Sequence, residues 1–204
     1  MSGITGLSQG SRARTQRSLE DILANDTLSR SLHDVGLAAW FGGTLANAVA
    51  LNPAAAEADT ADGTGRVANT GWNRWVPVNA AAIGAHLAGS VGELVGNRSR
   101  LAAQRGAGAT AVAKTGLTVA ALAVTGYSRL LGRKVAKEES VPALSGTEPA
   151  ASTPDDVAKA QKRLSALQWA VPALTGALIV ISALAGEQQR PSEVKKGILA
   201  RFTR

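Results

Sequence analysis

The chain of 204 residues contains no cysteine, one methionine, one tyrosine and two phenylalanines. Without cysteine there is no disulfide, no thiolate metal site and no cysteine nucleophile. Histidine is nearly as scarce. His33 and His86 are the whole supply, too few for a histidine-built metal cage. No H-E-x-x-H helix, Walker loop or G-x-G-x-x-G fingerprint occurs. These absences predict a protein that is not an enzyme and carries no metal or organic cofactor.

Charged residues make up only 18% of the chain, and their distribution is uneven. They gather at residues 12–34, 57–74, 98–105, 129–163 and 187–204, leaving four long stretches almost free of charge. The net charge of +7 would suit a nucleic-acid binder, but no nucleic-acid fold pattern is present. Lys and Arg beside membrane spans produce the same balance. No nucleic-acid partner is therefore expected.

The four stretches are residues 35–51, 76–96, 110–131 and 166–186. A helix rises about 1.5 Å per residue, so roughly 20 residues cross the ~30 Å hydrocarbon core of a bilayer. A water-soluble bundle would need charged outer faces, which the fourth stretch lacks entirely. The predicted fold is all-α: a polytopic membrane protein with four transmembrane helices in a bundle. A short amphipathic helix carrying Leu19, Ile22, Leu23 and Leu28 is expected to lie on the membrane surface within an N-terminal arm, residues 1–34. No cleaved signal peptide is expected, since the first apolar run begins only near residue 35.

Residues 138–153 are rich in Pro, Ser and Gly and read as a flexible loop. Thr153 is expected to cap the next helix, with Pro154 in its first turn and Pro172 as a kink. A basic tail, residues 187–204, closes the chain. Twelve Lys and Arg fall on the side of the termini and nine on the other, which places both termini in the cytoplasm of a multi-pass cell-membrane protein. Trp72, Trp75, Tyr127 and Trp169 all fall at one end of this arrangement, as interfacial anchors would.

Helices in lipid associate through close backbone approach and polar contacts. Ala38, Gly42, Ala46 and Ala50 form one small-residue stripe, and Gly84, Ala88, Gly92 and Gly96 form another that includes "GELVG". Both are candidate packing faces, within the bundle or against another copy or a membrane-protein partner.

The second stretch also carries Asn79, His86 and Glu93, seven apart. Seven residues turn an ideal helix by about 700°, so the three share a face. Ser90 and Asn97 extend it. Lys114, Thr118, Thr125 and Ser128 form a facing set on the third stretch. If the intervening turn centres near residues 103–104, Glu93 and Lys114 lie at equal depth and form an ion pair. Polar groups in the bilayer face other helices or a wet cavity, because charge at mid-membrane costs about 2.5–3.5 kcal/mol. Haem is not expected, because His33 and His86 would be offset by roughly 10–15 Å along the bundle at ~1.5 Å per residue. Glu57, Asp59 and Asp62 read as a solvated acidic patch.

"GLAAWFGG", "GWNRWVPVNAAAIGAHLAG" and "GNRSRLAAQRGAGATAVAKTGLT" together resemble uncharacterised four-helix integral membrane proteins of actinobacteria, over about half the chain, residues 35–133. That resemblance implies a membrane location and no chemistry. Two functions are expected from these readings. One is a non-enzymatic accessory or scaffolding subunit of a larger membrane assembly. The other is a small-solute or proton-linked transporter that uses the Glu93 and His86 stripe.

Overall fold

The computed structural model describes the backbone of residues 5–98, 106–137 and 141–188, and the side chains from residue 26 onward within those ranges. Four long helices dominate. Helix α1 (Thr5–Ala46) runs through a π-helical turn (Asn47–Leu51) into the short α2 (Asn52–Ala55), where Pro53 enters at the first turn. Helix α3 spans Ala61–Gly96, α4 Ala107–Val135 and α5 Asp155–Glu187.

Each start has a local cause. At α3, extended Thr60 accepts a hydrogen bond on its hydroxyl from the Gly63 amide at 3.0 Å, and Asp62 sits in the positive first turn. Gly106 opens α4 with φ of +90°, a conformation that glycine adopts without strain. Asp155 and Asp156 occupy the first turn of α5. Its N-cap is Pro154 rather than the expected Thr153, whose hydroxyl instead donates to the Pro142 carbonyl.

Three of the helical segments are long and apolar enough to cross a membrane: Asp26–Ala55, Ala107–Val135 and Asp155–Glu187. Helix α3 is long enough, at 36 residues, but the polar residues along it keep it outside that set. The outward faces of the helices are apolar. Val112 is 73% exposed and Val180 60%, with Val119 and Leu184 also exposed. A soluble bundle shows the reverse, with charge on its outer faces. This surface is compatible with a membrane protein.

Two boundaries differ from expectation. Helix α1 is continuous across residues 34 and 35, so the backbone has no joint between an arm and a span. No proline falls between Thr5 and Ala46 to break it. Leu19, Ile22 and Leu23 lie outside the described side chains, as does nearly all of the basic tail. The second difference is that α3 is helical from Ala61, well before residue 76, so the chain turns at residues 56–60.

The helices run alternately up and down. Helix α1 packs most extensively against α3, and α4 against α5, while α1 also meets α5. Consecutive α3 and α4 share no comparable backbone contact. Trp40, Ala82, Ala121 and Val171 form a buried waist where all four helices meet, with Ile83, Leu122 and Leu174 packed on it. The expected flexible loop 138–153 is replaced, over its described residues, by a folded cap. Strands β1 (Ala143–Ser145) and β2 (Glu148–Pro149) pair antiparallel, and Val141 buries with Leu131, Val135, Val157 and Ala160. Apolar burial of Val141 and Ala143 supplies the order that Pro and Gly composition by itself would not.

The candidate polar seam between two helices

The gap between α3 and α4 is a seam holding two cavities. The wider, of about 310 Å³, is bounded by residues 87–97 of α3 and 107–122 of α4. The narrower, of about 120 Å³, is bounded by residues 69–79 of α3 and 125–136 of α4, with the β-hairpin and α5 closing it. The apolar waist lies between them.

Lys114 Nζ donates to Glu93 Oε2 at 3.1 Å across the wider cavity. Their side chains are 18% and 23% exposed, so the pair is neither surface-screened nor sealed in the core. This is the equal-depth pairing that the hairpin argument anticipates. It bridges two helices that meet at the apolar waist but have little close backbone contact, so it spans the gap between them as a strut.

The rest of the stripe divides its roles. Ser90 Oγ donates to the His86 carbonyl at 2.7 Å and Asn97 Nδ2 to the Glu93 carbonyl at 2.8 Å. Both bonds stay within α3. His86 is fully buried, with Nδ1 3.4 Å from the His33 carbonyl and Nε2 3.5 Å from Thr118 Oγ1. At those lengths the hydrogen bonds are weak. Asn79 faces the narrower cavity with Thr125 and Ser128, and none of Asn79 Oδ1, Thr125 Oγ1 or Ser128 Oγ has a hydrogen-bond partner.

His33 is the residue that the stripe argument missed. Its ring lies 4.6 Å from that of His86, and the Trp40 ring lies 6.1 Å from that of His86. His33 Nδ1 pairs with Asp34 Oδ1 at 2.8 Å while Nε2 is buried without a partner. The expected axial offset between the histidines therefore does not exist, and it cannot serve to exclude a shared ligand. Because the chain turns at residues 56–60, α1 and α3 are in a register that sets His33 beside Gly89 and Gly36 beside His86. The signal was present in α1 as Ser29, His33, Gly36, Trp40 and Gly43, spaced alternately four and three. Among the described residues, no group of three or more His, Asp or Glu is placed to hold a metal.

The small-residue stripes divide between the bundle interior and its outer surface. Ala38, Gly42, Ala46 and Ala50 are exposed, and a side chain at Gly42 or Gly84 would meet nothing. Ala88 is exposed too. Gly92 and Gly96 do face α1, against Ser29 and Asp26. The close approach itself is made by Gly36 and Gly89, because it depends on register rather than on spacing.

Of the expected anchors, Tyr127 and Trp169 are exposed, and the Tyr127 hydroxyl accepts from Arg163 at 3.0 Å. Trp72 and Trp75 turn inward. Trp72 Nε1 donates to Asn52 Oδ1 at 2.9 Å, and the Trp75 ring covers Gly43. Asn52 is a hub, since its Nδ2 also donates to Gln168 Oε1 at 2.7 Å and its carbonyl accepts from the Gly146 amide at 3.2 Å.

No protein-family model, curated protein or solved structure matches this chain. The likeness to actinobacterial four-helix proteins thus rests on the sequence pattern alone.

Proposed function

We propose that the chain is a four-span integral membrane protein that passes a small polar solute along the α3/α4 seam. One observation carries this reading: two cavities, each with a few polar side chains set in a mostly apolar lining, share one seam on opposite sides of an apolar waist. Wet vestibules divided by a dewetted constriction are what an alternating pathway needs. In this reading α3 is the fourth span, its polar face turned to the seam and away from lipid. In this reading both termini are cytoplasmic, and the N-terminal part of the unbroken α1 projects from the membrane on that side.

The absence of cysteine makes the test direct. Ser90→Cys reports on the wider cavity, Ser128→Cys on the narrower one, and Val180→Cys on the lipid face. A membrane-impermeant maleimide applied to oriented vesicles is expected to label Ser90→Cys from one side, Ser128→Cys from the other, and Val180→Cys from neither. Labelling of Ser90→Cys and Ser128→Cys from a single side would overturn the proposal, as would failure to label either.

The accessory-subunit reading keeps one point of support. Ala38, Gly42, Ala46 and Ala50 form a small-residue stripe that is exposed among the described residues, and such stripes suit close helix contact. Under that reading a partner helix fills the outer face of α1, and a leucine at Gly42 breaks co-purification while leaving both labelling patterns intact.

A further inference from the structure

The narrower cavity has a lining that selects its occupant. Trp75 Nε1, Asn79 Oδ1, Thr125 Oγ1 and Ser128 Oγ are buried without hydrogen-bond partners, and all four residues line it. A buried polar group left unmade costs about 1–3 kcal/mol, so four in one place point to a missing partner. The indole N–H can only donate and the two hydroxyls can donate, against one carbonyl oxygen that can only accept. Arg129 adds a permanent positive charge at the same cavity and forms no ion pair among the described residues. None of the lining residues is acidic. The remaining wall is largely aliphatic, from Val76, Val135, Leu164, Leu167 and Val171.

We infer that this cavity binds a small organic monoanion, a short-chain carboxylate, with its charged end held by Arg129 and the hydroxyls and its tail against the aliphatic wall. Guanidinium and carboxylate match as a fork of two parallel charge-assisted hydrogen bonds. The size limit follows from volume. About 120 Å³ equals roughly four waters at ~30 Å³ each, room for a chain of about two to four carbons. The β-hairpin closes the cavity through Gly146 and Thr147, and Asn52 holds the hairpin to α3 and α5. The inference names a substrate class for the proposed pathway and rests on that reading of the seam, yet binding is measurable without transport.

The test is calorimetric titration of the full chain in mild detergent with butyrate, butyramide and chloride. Butyrate is expected to bind saturably, and butyramide, of equal size but uncharged, on the order of tenfold or more weaker. Arg129→Gln is expected to weaken butyrate by a similar factor. Gly132 supplies a second variant, because it lines the cavity and a Cβ there has no neighbour within 4 Å. Gly132→Leu is expected to abolish butyrate binding with the melting temperature of the free protein unchanged or raised. Equal binding of butyramide, equal competition by chloride, or no butyrate binding (a cavity filled by water alone) would each overturn the inference. Butyrate binding without flux in vesicles sinks the transport reading and leaves the site standing. Flux of another solute without butyrate binding does the opposite.

Discussion

Replacing Gly36 by alanine probes the register of the bundle at one of its close backbone contacts. A Cβ built there lies 2.5 Å from the Ala82 carbonyl oxygen and 2.5 Å from the His86 amide nitrogen, whereas ordinary contact begins at 3.4 Å. The shortfall is 3.4 − 2.5 = 0.9 Å, and both obstacles are backbone atoms that cannot rotate aside. Overpacking of this kind costs about 1–3 kcal/mol, and the rigid neighbours place it near the upper end. Exchange of glycine for alanine inside a helix returns roughly 0.5–1 kcal/mol. The net expectation is a loss of about 2 kcal/mol. Gly42, six residues along the same helix, is the control, since its Cβ would meet nothing within 4 Å. Gly42→Ala should gain the propensity term alone, about 0.5–1 kcal/mol. Thermal melting of both purified variants in one detergent, followed by far-ultraviolet circular dichroism, reads the contrast. At roughly 2–4 °C per kcal/mol for a chain of this size, Gly36→Ala melts about 4–8 °C below the parent and Gly42→Ala slightly above it. If the two variants melt together, or Gly36→Ala is the more stable, the α1/α3 register described above is wrong.

Further expectations concern polar contacts and the membrane. Glu93→Gln or Lys114→Met alone should destabilise by about 1–3 kcal/mol, between the values for exposed and fully buried pairs, and a double-mutant cycle should return a favourable coupling of similar size. A coupling near zero refutes the strut. Asn52→Leu breaks the bonds to Trp72 and Gln168 and leaves both partners orphaned, so a loss of about 2–4 kcal/mol is expected in denaturant titration, together with faster proteolysis of residues 141–153. The untagged chain should stay with membranes through alkaline carbonate extraction and leave them only in detergent. Recovery as a folded species in the aqueous supernatant contradicts the membrane reading.

Much of the architecture follows from local composition. The uncharged runs around Val35, Thr110 and Ala166 lie in helices because length and apolarity act residue by residue, without reference to a partner. The Glu93–Lys114 pair was also legible, since two residues equidistant from a turn meet at one depth in any antiparallel hairpin. The described part of the expected flexible loop, residues 141–153, departs from that expectation for the converse reason. Its Pro, Ser and Gly content describes the local chain, while its order comes from Val141 and Ala143 burying against helices distant in sequence.

What the linear chain determined is the helical content, the apolar outer surface and the absence of cysteine. Those depend on which groups water or lipid will solvate. Only the tertiary structure decided that His33 lies against His86, that Gly36 rather than Gly42 is the close contact, and that α3 and α4 meet at a waist with a cavity on either side. The first two depend on where α3 begins. A start at Ala61 instead of near residue 76 slides the whole α1/α3 register, and periodicity within one helix carries no record of that slide.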